Sequence, residues 1–288
     1  ETEIVLKENT FENLFYFKVD PSNRGLTKQR NYGINLTSKA SEIVCFLDDD
    51  VVLKPDYFDQ LLSTYIKYPK ALAAGGYITN EVDWEKSDED HNSSKFYFDN
   101  WMRKESSRFK IRHAFGLNPD RKPGFLPTFA HGRSISYLPP SGKIYPVEFF
   151  MGGVSSYKKK LFNQIKFSLY FEDYGLYEDL DFCLRASNLG ELYVNTSARL
   201  AHYHEEAGRP NKFTYGKMVV RNNWYVWRVK YPHPLLKSRL KWSLTAILLI
   251  FLRSANIINT NKKREAFAEC IGRITGLLSL IYNKPKVE

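Results

Sequence analysis

Residues 42–50 read Glu42-Ile43-Val44-Cys45-Phe46-Leu47-Asp48-Asp49-Asp50. An apolar, partly β-branched run that stops at three carboxylates predicts a buried strand of a parallel sheet ending at the sheet's carboxyl edge. Open α/β sheets take their ligands at that edge. Adjacent carboxylates repel one another unless a cation offsets them, and hard oxygen ligands suit Mg²⁺ or Mn²⁺. The plain alternative is a solvated acidic turn that caps the helix after it.

On either side the chain alternates in type. Glu3–Leu6 and Leu14–Val19 are short apolar runs of strand character, and Asp20-Pro21-Ser22-Asn23-Arg24-Gly25 is a cluster of turn formers. Thr27–Leu36 reads as a helix with Thr27 at its cap. Beyond the acidic triplet, Pro55 opens a helix whose pairs Tyr57/Phe58, Leu61/Leu62 and Tyr65/Ile66 recur every four residues and give one apolar face. Ala71–Ile78 reads as another strand. Residues 83–145 are rich in charge, Ser, Asn and Pro, and predict a long excursion of loop character beside a cleft. Order returns at Val147–Val154, then a helix over Leu180–Ser187, strands at Leu192–Asn195 and Ala198–His204, and helices from Lys212 to Tyr282 broken at Pro232-His233-Pro234. Strands alternating with helices, then helices alone, predict an α/β domain over residues 1–211 and a helical C-terminal region over 212–288.

The chain has 288 residues, 43% hydrophobic and 15% aromatic, enough to bury a sizeable core and too apolar for a disordered protein. Cys45, Cys183 and Cys270 lie far apart, which excludes a disulfide framework and a structural zinc site. A formal charge of +10 favours phosphate-bearing partners, whether nucleotides, nucleic acid or anionic lipid. The opening Glu1-Thr2-Glu3 is not a basic n-region, so a cytoplasmic chain is expected.

Three further segments carry chemistry. Glu178-Asp179-Leu180-Asp181-Phe182-Cys183-Leu184-Arg185 places acids at a helix start, where the dipole alone also favours them. Met151-Gly152-Gly153 lets backbone approach a ligand closely, or simply makes a tight turn. His202 and His204 fall on one face of a strand, where two imidazoles can hold a metal.

In this order, Asn23-x-Gly25, Arg30-Asn31-x-Gly33, Phe46–Asp50, Met151–Gly153, Glu178–Arg185 and a strand-borne His resemble the family 2 glycosyltransferases of the GT-A fold, from about Glu3 to Arg209. The resemblance implies a Rossmann-like mixed sheet flanked by helices and an inverting, metal-dependent sugar transfer. It implies that Asp50 binds Mg²⁺ or Mn²⁺ on the donor diphosphate, with His202 ahead of His204 as a further ligand. Asp48 approaches the nucleoside and ribose, Asp49 lies beside the donor sugar, and Arg30 contacts the nucleotide. Gly152 and Gly153 run along the donor–acceptor cleft. The resemblance also implies that Asp179 serves as catalytic base, with Glu178 assisting the acceptor. UDP is the first expectation for the nucleotide, with dTDP and GDP open, and the acceptor is a glycan or lipid-linked hydroxyl in glycan or cell-envelope polysaccharide synthesis. The family's opening strand and its Pro-x-Tyr-Asn type turn have no counterpart here. Glu3–Asn9 would be the second strand, so the first nucleotide-binding strand is missing from the pattern.

Two other classes compete. A metal-dependent nucleotidyltransferase also puts acids at a strand end, yet the Gly- and Lys-rich phosphate loop it needs is absent from the sequence. A non-enzymatic basic module for nucleic acid or membrane explains the charge but gives no reason for acids at both 48–50 and 178–181, and no nucleic-acid partner is expected. Trp242–Ile258 is a 17-residue apolar run containing Arg253, short of the roughly 20 residues a membrane span needs. With Lys237, Arg239 and Lys241 before it and Lys262, Lys263 and Arg264 after it, peripheral contact with the cytoplasmic face of a membrane competes with packing on the catalytic domain.

Overall fold

The computed structural model describes residues 2–9, 11–87, 94–129, 131–171, 174–203 and 210–287. Its centre is a six-stranded mixed sheet. The strands are β1 (Ile43–Leu47), β2 (Val51–Leu53), β3 (Ala71–Ile78), β7 (Ile144–Val147), β8 (Val154–Lys158) and β9 (Glu191–His202), in the order β1-β8-β3-β9-β2 with β7 also on β9. β3 and β9 run parallel, and the remaining pairs are antiparallel.

Helices α2 (Leu26–Leu36), α3 (Tyr57–Lys67) and α5 (Glu178–Ser187) flank this sheet. On one face Phe182, Cys183 and Ala186 of α5 join Val44, Tyr157, Phe162 and Phe167 in the main core. On the other, Tyr57, Leu61 and Tyr65 of α3 pack against Ala71, Ala74, Val154 and Leu200. Of the three apolar pairs on α3, the first member of each is buried, while Phe58, Leu62 and Ile66 are exposed. One turn of four therefore points inward, narrower than the doublets suggest.

Several local expectations are revised. β1 is an antiparallel edge strand bound to β8, because the strand that parallels β9 is β3. Residues 3–6 lie in helix α1 (Thr2–Glu8), and residues 14–19 are irregular. Thr27 lies inside α2 rather than capping it: its hydroxyl donates to the Phe171 carbonyl at 3.1 Å, tying α2 to the loop before α5. The two strand runs after Gly190 are one continuous β9. The excursion over 83–145 is ordered where described: β4 (Glu85–Lys86), β5 (Lys95–Phe98) and β6 (Trp101–Lys104) form a second sheet, followed by α4 (Ser107–Ala114). Ion pairing of Arg133 with Glu105 and aromatic contacts of Tyr137 with Phe96 and Phe109 hold it together.

The helical C-terminal region comprises α6 (Lys212–Lys230), α7 (Leu236–Ser254), the short α8 (Asn256–Asn259) and α9 (Lys263–Tyr282). α6 lies on α5, with Tyr225 stacked on Tyr170 and the Trp227 indole N–H donating to the Thr128 carbonyl at 3.0 Å. α9 runs alongside α6 at close range: a Cβ on Gly216 would meet Glu269 backbone, and one on Gly272 would meet Phe213 backbone.

Candidate active site

β1 ends at Leu47, and the chain turns through Asp48-Asp49-Asp50 into β2. β2 pairs with the end of β9, setting Val51 opposite His202, and the Tyr203 N–H donates to the Asp50 carbonyl at 2.8 Å. Pairing of these two strand ends brings Asp48, Asp50 and His202 together. Their ligating atoms lie within 4.8 Å of one another. His202 Nε2 stands 3.0 Å from Asp50 Oδ1, yet that buried oxygen has no aligned hydrogen bond. Asp49 is exposed beside them. His204 lies outside the described residues.

The second acidic group reaches the same place from α5. Asp179 stands in the first turn of the helix and accepts from the Gly152 N–H at 3.1 Å and from the Leu180 N–H at 2.7 Å. Its neighbour in the turn, Gly153, accepts from the Asp48 N–H at 3.0 Å through its carbonyl. The Gly152-Gly153 turn therefore bridges the acidic triplet and the Glu-Asp pair. Both glycines are spatial requirements. A Cβ on Gly153 would lie 1.9 Å from Asp48 Oδ2, and one on Gly152 would lie 2.6 Å from Arg30 Nη1 and 2.9 Å from Glu178 Oε1.

Arg30 is buried rather than open to the cleft. Its guanidinium lies over Phe46 and Phe167, 5.4 and 5.3 Å from the ring centroids, and Nη1 donates to Glu178 Oε1. Burial works against the charge on Arg30, and Glu178, Tyr157, Asp179 and Asp48 together outweigh it, so the guanidinium pKa is raised. Burial also pushes Glu178 up, to about 8, against the pull of Arg30; its Oε2 has no hydrogen-bond partner. Asp179 is raised above the ordinary aspartate value, chiefly by burial, with Arg30 and the backbone N–H groups pulling the other way. Burial raises Asp48 too, reinforced by Asp50 and opposed by Arg30.

Three residues here carry no local sequence signal. Glu81 Oε1 lies 3.2 Å from His202 Nδ1, and Asn80 clamps the His202 backbone at both its N–H and its carbonyl. With its Nδ1 proton toward Glu81, the ring turns its Nε2 lone pair to Asp50, the usual outer-shell arrangement of a metal-ligating histidine. Tyr177, just before the acidic pair, adopts φ +72°, a left-handed conformation unusual for a tyrosine. Only the three-dimensional meeting of β3 with β9 exposes the first two.

The donor set of two carboxylates and one imidazole, with a buried carboxylate oxygen lacking an aligned partner, fits a divalent cation. Carboxylates suit Mg²⁺ and Mn²⁺, and the imidazole tilts the choice toward Mn²⁺.

The family model described as glycosyl transferase family 2 matches residues 2–130. A glucosyl-dolichyl phosphate glucuronosyltransferase of Haloferax volcanii is 32% identical over 76 residues, which is 26% of this chain and 23% of the relative. The chain thus spans about a quarter of the curated relative it matches. Among solved structures, the crystal structure of A197 from STIV aligns over 63% of this chain and 78% of that one at 13% identity, with a TM-score of 0.29, too low to carry an argument. The mixed sheet flanked by helices agrees with the GT-A fold, and the match to the glycosyl transferase family 2 model over residues 2–130 spans the strand and its acidic triplet.

Proposed function

We propose that this chain transfers a sugar, with inversion, from a nucleotide-diphosphate donor to an acceptor hydroxyl. The observation that carries the reading is the convergence of Asp48, Asp50 and His202 with Glu178 and Asp179 across the Gly152-Gly153 turn. Residues 1–211 carry the chemistry and residues 212–288 the attachment to other structures.

Asp179 takes the proton of the attacking hydroxyl. Burial raises its affinity for a proton above that of an ordinary aspartate, and a positioned base of this type contributes about 10²–10⁴-fold. The Gly152 and Leu180 N–H groups fix its carboxylate. Glu178 and Arg30 form a buried pair behind it that keeps the helix start in place. Asp50, Asp48 and His202 would hold Mg²⁺ or Mn²⁺, which would supply positive charge against that of a nucleoside diphosphate leaving group. Asp49, exposed at the same edge, faces the donor sugar. The name of the Haloferax relative pairs glycosyl transfer with a dolichyl phosphate, which supports a lipid-linked acceptor and a role in glycan or envelope synthesis at a membrane. UDP is the nucleotide to try first, before dTDP and GDP.

The test is thermal stabilisation by UDP, GDP and dTDP and their sugars, each with Mn²⁺ and with EDTA. A ligand at about 100 times its Kd stabilises the folded state by about 2.7 kcal/mol. A shift for one nucleotide that needs the metal, with release of nucleoside diphosphate and not pyrophosphate on turnover, supports the reading. No shift with any donor removes it.

A further inference from the structure

α7 and α9 each bury one face and leave the opposite face apolar and open. On α7 the buried face is Trp242, Thr245, Ala246 and Ile250. Leu236, Leu240, Leu244, Ile247 and Phe251 are exposed and recur every three or four residues along the other side. α9 repeats the pattern with Phe267, Ile271, Ile274, Leu278 and Ile281 exposed. Ile281 is 78% accessible and Phe251 73%, values of chain ends rather than of a packed helix.

The two helices form an antiparallel hairpin. Trp242, near the start of α7, clusters with Leu280 at the end of α9, while Arg253 at the end of α7 pairs with Glu269 near the start of α9. Their inner faces rest on α6, through Trp242 on Trp227 and through the close approach of Gly272 and Gly276 to α6. Both apolar stripes therefore lie on the side away from the protein.

Charge identifies the occupant. Lys237, Arg239 and Lys241 mark one end of the hairpin, and Lys262, Lys263 and Arg264 mark the other. Over residues 236–287 the only acids are Glu265 and Glu269, and Glu269 is engaged by Arg253 and Arg273. Cations at both ends would face cations in a parallel or antiparallel pairing of two copies through this surface. An anionic headgroup layer complements both ends at once.

The stretch Leu236–Asn259 is long and apolar enough to cross a membrane by length and composition. A crossing would strip the Trp242, Thr245 and Ala246 contacts and carry the Arg253–Glu269 pair with it. Lying flat keeps both. We propose that the outer faces of α7 and α9 form a monotopic docking surface for an anionic bilayer. α6, which the hairpin rests on, also touches the loop before Asp179: Asn222 donates to the Leu176 carbonyl at 2.9 Å. Docking would thus hold the candidate active site on a membrane-bound element, within reach of a lipid-linked acceptor, a consequence that rests on the transferase reading.

The test is sedimentation of the full chain with phosphatidylcholine vesicles and with vesicles containing phosphatidylglycerol. Wild type is expected to pellet with the anionic vesicles and weakly with the neutral ones. Ile247→Gln/Phe251→Gln/Ile274→Gln, all at exposed positions, should lower partitioning about a hundredfold. Neutralising Lys237, Lys262 and Lys263 to Gln should lower it by a similar factor, roughly fivefold per charge. Circular dichroism and melting confirm that both variants are folded. Wild type that fails to bind anionic vesicles, or apolar variants that bind as wild type does, would overturn the proposal. So would a wild-type dimer in solution that the Gln variants convert to monomer, since that assigns the face to a second copy. None of these readouts involves sugar transfer, so failure here leaves the transferase reading standing and the converse holds as well.

Discussion

Alanine at Gly152 and at Gly153 should fail in different ways. Neither glycine has a positive φ, so the effect is steric and not backbone strain. At Gly153 the new Cβ would sit 1.9 Å from Asp48 Oδ2 and 2.1 Å from Cγ. Asp48 is exposed and can swing toward water, so folding stability should change by no more than about 1 kcal/mol. The swing removes one of three ligands from the cation cluster. Loss of an outer-shell partner alone weakens a metal site about 10–100-fold, so Gly153→Ala should lose Mn²⁺ affinity by about a hundredfold or more. At Gly152 the Cβ would meet Arg30 Nη1 at 2.6 Å and Glu178 Oε1 at 2.9 Å. These side chains are 8% and 5% exposed, with Arg30 over the Phe46 and Phe167 rings, and have nowhere to retreat. Overpacking of this kind costs about 1–3 kcal/mol. For a chain of this size that lowers Tm by roughly 2–4 °C per kcal/mol. Calorimetric Mn²⁺ titration and melting in EDTA separate the two. Gly153→Ala binding Mn²⁺ as the parent does, or losing more stability than Gly152→Ala, would refute the assignment of Asp48 to the cluster.

Asp179→Asn should lower turnover about 10²–10⁴-fold while donor binding stays within a factor of about two; near-normal turnover would remove Asp179 as base. In the parent, the acid limb of the rate profile should lie above the ordinary aspartate range, because burial raises Asp179 and the base works only when ionised. Glu81→Gln should weaken Mn²⁺ binding about 10–100-fold through the His202 ring alone, measurable by the same titration, and an unchanged affinity would make the Glu81 contact incidental. Glu178 is raised in the folded chain to about 8 from 4.5. A group raised in this way contributes stability that is full below its unfolded value and is lost as pH rises through its folded value. Melting temperature should therefore fall from about pH 5 to about pH 9 more steeply in the parent than in Glu178→Gln; equal slopes would mean that Glu178 titrates as an ordinary glutamate.

The acidic triplet was legible because strand chemistry and carboxylates adjoin in sequence. So was the Glu178–Asp179 pair, because a helix with an apolar face begins there. The direction of β1 was not. An apolar run of five reads alike in a parallel interior and at an antiparallel edge, and only the long-range pairing of Leu47 with Val154 decides it. Residues 3–6 differ for a related reason: Glu3-Ile4-Val5-Leu6 has strand composition, yet among the described residues no strand pairs with it, and the segment closes its hydrogen bonds locally as α1. Strand propensity is a preference for a pleated, half-buried surface, and it lapses where no such surface exists. Residues 83–145 looked unpatterned because their order comes from cross-strand aromatics and ion pairs rather than from a repeating apolar face.

The residues that complete the site were hidden because they act through others. Arg30 stood out in sequence as a cation suited to a nucleotide, but its burial beneath Gly152 makes its direct partner Glu178. Glu81 and Asn80 lie more than a hundred residues from His202 and meet it only because β3 and β9 run side by side. The same holds for the C-terminal helices. In sequence they are a basic, apolar addition to a catalytic domain. In the fold, Asn222 of α6 holds the Leu176 carbonyl, and the next residue, Tyr177, carries the left-handed backbone that launches α5. A strained residue persists only where its surroundings over-determine it. Here those surroundings include α6, on which α7 and α9 rest. On the proposed reading, the element that carries the docking hairpin would also hold the loop before Asp179, and deletion of residues 212–288 should cost the catalytic edge its order as well as any membrane contact.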